Sequence, residues 1–373
     1  MSQRDKNNCL EANVQAKHNR RSRRRELLVS LIVLCGSLVF SAAVGELSVR
    51  VLFPEWAPRT ARITKFWQYH PYYGWAHIPG TSGTFQAFGV DTQVSINEKG
   101  FRGPAVPYEK GEKERIIVLG DSFVWGYGVE YKDTFVSRLT GMFPNSEFVN
   151  MGVSGYSLDQ ELLLFREEGI QYRPDKVMLV VAANDIPLHV KTEAYLIYGK
   201  PVFVWDKSEL KTENYPVHRT SWIKRTLVEA AWRSYLLTQL NRLRYSFHIK
   251  VPQPDSSAKR PKAFPRNKAE EITAHILRVF KEETESAGAK LLVVFVDGMG
   301  EAKLASEFLK REEIEYVALD DYVDYHNTQL HLPDGIHWSA AGHSKVADVL
   351  SHKLKDLNRN EVINRKINPP VMK

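Results

Sequence analysis

Ile116-Ile117-Val118-Leu119-Gly120-Asp121-Ser122-Phe123 sets four apolar residues, three of them β-branched, directly before a glycine, a carboxylate and a hydroxyl. That pattern predicts a fully buried strand that stops at Gly120. In an open parallel α/β sheet, ligands bind just beyond the carboxyl ends of the strands. A serine on a tight turn there presents its Oγ to a cleft. A hydroxyl is a weak nucleophile and needs a positioned base. The rest of the chain must supply that base, a group to orient it and an oxyanion hole.

Outward from this strand, apolar runs and helical periodicities alternate. A helix near 133–143 sets Phe135, Leu139, Met142 and Phe143 on one face, and Glu147 to Asn150 is a short strand. A helix over about 158–168 leads to the continuous apolar strand Lys176 to Ala183. After an interruption, 268–286 is an amphipathic helix with Ile272, His275, Ile276, Val279 and Phe280 inward. Leu291 to Val296 is a strand, 301–311 a helix, Tyr316 to Leu319 a strand, and a closing helix covers roughly 340–356. Strands alternating with helices imply an α/β fold with a parallel sheet and right-handed crossovers.

The interruption at 187–266 does not alternate. It holds a basic amphipathic helix near 221–246 and polar stretches such as Pro252-Gln253-Pro254-Asp255-Ser256-Ser257. So long an insertion after a strand end reads as a lid over the cleft, with a surface excursion as the competing reading. Residues 54–113 are dense in aromatics, glycine and proline, from Trp67 through Trp75 to Pro79-Gly80. Alternation over Thr92–Ile96 predicts a strand and Asn97-Glu98-Lys99-Gly100 a turn, giving a small β-rich subdomain. Its aromatics form either a local core or a sugar-stacking surface.

The N-terminus has a different character. Residues 1–26 read as a disordered basic tail, and Leu27 to Gly45 are nineteen positions without a charge, long enough to span a bilayer core. The Arg cluster before them predicts a cytoplasmic N-terminus and an exported, periplasmic body. A cleaved signal peptide ending near Ser41-Ala42-Ala43 is the alternative. Of the net charge of +7, residues 1–25 contribute a surplus of six, eight Lys/Arg against Asp5 and Glu11. The body is near neutral, which excludes a nucleic-acid partner. Both cysteines, Cys9 and Cys35, lie outside the body, so it has neither a disulfide nor a cysteine nucleophile.

Leu332-Pro333-Asp334-Gly335-Ile336-His337 carries turn chemistry that brings Asp334 and His337 face to face. Asp334 then fixes the imidazole tautomer, and the other ring nitrogen takes the Ser122 proton. Asn150-Met151-Gly152-Val153-Ser154-Gly155 follows the second strand, and Asn184 follows the third, as candidate oxyanion donors. His326, His331, His337 and His343 invite a metal reading, but their spacings lack a ligand pattern, so no metal is assigned. Asp185 and Asp297 read as loop residues, and Trp125 to Gly128 as either a cleft wall or core.

At this point the chain resembles the SGNH (GDSL-like) hydrolases. Gly120-Asp121-Ser122-Phe123 matches their nucleophile block, Asn150 to Gly155 their glycine block, Val181-Ala182-Ala183-Asn184-Asp185 their asparagine block, and Asp334-Gly335-Ile336-His337 their last block. Ala182 stands where the family usually has glycine. The resemblance implies a flavodoxin-like three-layer α/β/α fold over 114–357 with the insertion at 187–266, and leaves 358–373 as a tail. It implies Ser122 as nucleophile, His337 as base, Asp334 as orienter, and Ser122 N–H, Gly155 N–H and Asn184 as oxyanion donors, without a cofactor. The implied reaction is hydrolysis of O-acyl esters, with acyl transfer or a non-catalytic scaffold as alternatives. The anchor and Asn97-Glu98-Lys99-Gly100-Phe101-Arg102-Gly103 look like a bacterial envelope subgroup, which implies a carbohydrate ester substrate and a neighbouring polysaccharide-modification machinery.

Overall fold

The computed structural model describes residues 3–53, 65–87, 90–182, 198–206, 209–237, 239–240, 268–296 and 301–367. These fall into two compact units, one of 1–58 with 229–251 and one of 59–228 with 252–373.

The first unit is dominated by α1, Gln3–Leu52. The helix runs through the segment expected to be disordered, since no glycine or proline interrupts residues 3–35. From Arg25 to Leu52 it is long and apolar enough to cross a membrane, by length and composition, and its Leu27 and Phe40 side chains are exposed. Near its end, Glu46 accepts hydrogen bonds from Ser234 Oγ and from the Tyr235 and Leu236 amides at 2.7, 2.9 and 2.9 Å. A carboxylate there satisfies the orphan N–H groups of the short helical stretch at 235–237.

The second unit begins with two hairpins, β1 (Trp67–His70) with β2 (Gly74–His77) and β3 (Ser82–Ala87) with β4 (Val90–Ser95). Trp67, Trp75, Phe66 and Phe85 are fully buried, so these aromatics form a local core rather than a sugar-stacking surface. Five parallel strands follow: β5 (Glu114–Leu119), β6 (Ser146–Asn150), β7 (Lys176–Ala182), β10 (Lys290–Val296) and β11 (Glu315–Ala318). Their spatial order is β6-β5-β7-β10-β11, the 2-1-3-4-5 arrangement of flavodoxin-like sheets. The order reverses between β5 and β7, which is where such sheets bind ligands.

Helices α3 (Phe135–Met142) and α8 (Ala340–Ile367) pack together on one face, and α4 (Leu158–Glu167) and α6 (Lys268–Ser286) on the other. Period-two alternation sorts β5 between them: Ile116 and Val118 join Phe135, Leu139, Val346 and Leu350, while Ile117 lies beside Phe165 and Gly169. On the second face, Phe165 of α4 meets Phe280 of α6 with ring centroids 5.8 Å apart. The inward face of α6 is Ile272, Ile276, Leu277 and Phe280, with His275 and Val279 only half-buried. Met142, expected inward, is exposed because α3 ends there.

Between β7 and α6, the described residues form a hairpin, β8 (Val202–Asp206) with β9 (Glu209–Glu213), and the helix α5 (Trp222–Arg233). β8 packs against α4 and α6, with Val202 and Phe203 buried. Helix α7 (Glu301–Arg311) packs on β11.

Candidate active site

β5 ends at Leu119, and the chain turns at Gly120 into a single helical turn, α2 (Ser122–Trp125). Asp121 caps that turn, its Oδ1 accepting from the Phe123 amide at 2.9 Å. Gly126 closes it at φ 82°, a left-handed position that favours glycine. The Ser122 side chain therefore starts a helix at the strand end, and its own N–H has no intrahelical acceptor.

Ser122 Oγ lies 3.0 Å from His337 Nε2, and His337 Nδ1 lies 2.6 Å from Asp334 Oδ2. The late turn builds the second half of this relay. Asp334 Oδ1 accepts from the Ile336 and His337 amides at 3.2 Å each, which leaves Oδ2 for the ring. Burial pushes the Asp334 carboxyl up, but the bonds from the His337 ring and from the two amides outweigh it and hold it below the usual range. An ionised carboxylate only accepts, so Nδ1 carries the proton and Nε2 turns its lone pair to Ser122. Asp121 Oδ2 is a second acceptor for the Ser122 hydroxyl, at the longer distance of 3.3 Å.

The Gly155 turn follows β6 at the same end of the sheet, with φ 83° at Gly155. It is fixed from two sides. Trp75 Nε1 donates to Ser154 O at 3.1 Å and Tyr156 Oη to Trp75 O at 2.5 Å. Lys200, itself buried, donates to Ser157 Oγ at 2.5 Å and to both Asp159 oxygens at 2.7 and 2.8 Å. Asn184, Asp185 and Asp297 lie outside the described residues.

The remaining candidates separate cleanly. Trp125 is core, whereas Tyr127 is half-buried and stacks on His337 at 4.5 Å and 22°. His343 is buried behind the site, its Nδ1 accepting from the Phe135 amide at 3.2 Å. His331 is also buried, with Nδ1 3.1 Å from Asn327 O. Among the described residues no group of three or more His, Cys, Asp or Glu is placed to hold a metal ion. For two buried charged residues the sequence shows no partner. Glu161 is fully buried on α4, where burial and the nearby Asp121 and Asp159 push its carboxyl well up despite Lys200. Arg102 lies under α2. Its motif was visible, but its partners are backbone carbonyls, which leave no trace in a sequence.

A family model of GDSL-like lipases and acylhydrolases matches residues 118–345, a span that begins at the end of β5 and ends past the His337 turn. The chain belongs to that family. As a GDSL-like hydrolase it is an ester-hydrolysing enzyme. No curated protein matches it. Among solved structures it is similar to a GDSL-like lipase from Bacteroides thetaiotaomicron, at 12% identity over 68% of this chain and 93% of that one, TM-score 0.37. It is also similar to the psychrotrophic esterase EstA from Pseudoalteromonas sp., at 12% identity over 66% and 100%, TM-score 0.39. A two-domain esterase active on acetylated mannans matches at 14% identity over 66% and 50%, TM-score 0.37.

Proposed function

We propose that this GDSL-like hydrolase cleaves small O-acyl esters, of acetyl size, on an envelope carbohydrate, with Ser122, His337 and Asp334 as its catalytic triad. The continuous relay from Ser122 Oγ through His337 to Asp334 carries the reading. Ser122 Oγ attacks the acyl carbonyl as His337 Nε2 takes its proton. The oxyanion is held by the Ser122 and Gly155 amides and the Asn184 side chain. Collapse expels the sugar hydroxyl, which leaves with the proton from Nε2. Water then attacks the acyl-serine, giving its proton to His337, and release of the acid returns the proton to Ser122. Asp334 stays ionised throughout and stabilises the imidazolium.

The carbohydrate reading draws on the sequence resemblance and on Tyr127, whose half-buried ring beside His337 provides an aromatic wall of the kind sugars pack against. The acetylated-mannan esterase among the similar structures acts on the same class of bond. The apolar helix from Arg25 to Leu52 anchors the enzyme in a membrane, with the basic N-terminal residues cytoplasmic and the hydrolase body outside.

The test uses the full chain in mild detergent with p-nitrophenyl acetate, with and without an oligosaccharide acceptor, beside Ser122→Ala. Nitrophenol release that needs Ser122 but no acceptor is the expected result. Release only with acceptor, together with an acylated sugar, would make the enzyme a transferase. Release by Ser122→Ala at the wild-type rate would overturn the triad.

A further inference from the structure

The stretch Asn97 to Gly103 has no part in the mechanism above, yet it is built with care. Asn97 Oδ1 accepts from the Lys99 and Phe101 amides at 2.9 and 3.1 Å, and Asn97 Nδ2 donates to the Gly103 and Pro104 carbonyls at 3.2 Å each. Gly100 takes φ 83°, and Arg102 bridges back to Ile96. The turn buries two side chains, Phe101 and Arg102. Arg102 is 1% exposed.

Its guanidinium meets the far end of the nucleophile turn. Nη1 donates to Trp125 O at 2.9 Å and Gly126 O at 2.6 Å, and Nη2 donates to Val129 O at 2.7 Å. The group lies 5.0 Å from the Trp125 ring centroid. Carbonyls at the end of a helix lack intrahelical partners, so the fork caps α2 with a cation at its C-terminus. Arg102 makes no ion pair among the described residues; Glu130, a carboxylate whose charge acts on it, accepts from the Gln93 amide at 2.8 Å. Burial draws the guanidinium down to about 10, so it stays charged at neutral pH.

We infer that Arg102 is a positioning residue, setting the distance between the nucleophile and its base by clamping the 125–129 turn. The inference rests on the triad assigned above. The clamped turn is tied back to Ser122, whose carbonyl accepts from the Gly126 and Tyr127 amides at 3.0 and 3.1 Å. Its middle is Tyr127, whose ring packs on His337. One guanidinium thus holds both partners of the 3.0 Å Ser122–His337 contact. Lysine keeps the charge but loses the planar fork that reaches three carbonyls at once. A misplacement of about 1 Å in a reacting pair costs on the order of 100-fold in rate.

The experiment compares full-length Arg102→Lys with Arg115→Lys. Arg115 is an equally buried arginine, but it sits at the start of β5, bonded to the Tyr108, Glu109 and Tyr172 carbonyls and to Glu147. Folded sites are counted by fluorophosphonate labelling to completion, and kcat and KM for p-nitrophenyl acetate are expressed per labelled site. Arg102→Lys is expected to lose about 100-fold in kcat with KM nearly unchanged. Its labelling rate should fall in parallel, and methylguanidinium should restore kcat to Arg102→Ala. Arg115→Lys should melt at a lower temperature with wild-type kcat. Wild-type kcat per site in Arg102→Lys would overturn the inference, and so would failure of that variant to fold, because the arginine would then serve the fold alone. Turnover by Ser122→Ala marks the different failure, that of the triad itself.

Discussion

His343 should make the enzyme fragile in mild acid, and the size of the effect follows from where it sits. Its ring stacks on Phe135 and meets Trp338 edge-on, and its Nδ1 takes the Phe135 amide. Burial, then the positive Arg102 and Arg138, bring its pKa down from 6.5 to about 3. A histidine held neutral in the fold but free to protonate when unfolded gives the unfolded chain more protons between those two values. Stability therefore falls as the pH drops through 6.5 and keeps falling toward 3. Between pH 7.5 and 5.0 this one group removes about 2 kcal/mol. His77, buried and brought down to about 4, works in the same direction. Glu161 works against both, because a carboxyl raised in the fold loses stability as pH rises. The wild-type slope alone mixes these effects, so the informative quantity is a difference. His343→Gln keeps an acceptor for the Phe135 amide and removes the titration. Urea unfolding of wild type and variant at the two pH values should show the wild type losing about 2 kcal/mol more. At an m-value of about 3 kcal/mol/M that is a midpoint difference of about 0.7 M. Parallel losses in the two proteins would refute the neutral, buried assignment of His343.

Asp334→Asn should lower kcat by about 10⁴-fold with little change in KM, since an amide can hold the imidazole in the wrong tautomer; steady-state kinetics on p-nitrophenyl acetate read it directly. Gly152→Ala should destabilise the enzyme by about 1–3 kcal/mol and slow it, because the new Cβ would lie 2.4 Å from the Trp125 amide nitrogen and 2.7 Å from Val124, both on the nucleophile turn. A melting curve and kcat per labelled site check both halves. Glu161→Gln should flatten the loss of stability that sets in as the pH rises past the ordinary carboxyl value of 4.5, since the amide has no proton to give up; denaturant midpoints at pH 5 and 7 compare it with wild type.

Much of this was legible in the chain because it follows from periodicity and local spacing. A short run of mostly β-branched residues closed by glycine reads as a buried strand with a sharp exit, and the strand over 114–119 and the turn at 120–122 sit where that logic puts them. Asp334 and His337 lie three residues apart, so turn chemistry alone predicts their meeting. The 215-residue separation of Ser122 and His337 is another matter. Their contact depends on strand order, and no local pattern says that β7 and β6 flank β5 while β11 lies at the edge. The four family-like blocks supplied that order by resemblance, not by physics.

What stayed hidden has a common cause. Arg102, Trp75 and Lys200 act on the site through partners distant in sequence. Arg102 and Trp75 bond to main-chain carbonyls, and every residue type presents the same carbonyl. A reading that looks for matched side chains finds Ser, His and Asp and passes over the groups that hold them. It also reads residues 54–113 as a small β-rich subdomain whose aromatics form a local core or a sugar-stacking surface, and assigns them no hold on the site. The hydrogen bonds run the other way: Trp75 of β2 fixes the Gly155 turn, and Arg102, after β4, grips the nucleophile turn. The proposed catalytic machinery is carried by the parallel sheet, but two of its positions, Ser122 and the proposed oxyanion donor Gly155, are braced by residues that precede the sheet in the chain. Substitutions in 66–103 should therefore change kcat more often than KM, which is the opposite of what a substrate-binding appendage would show.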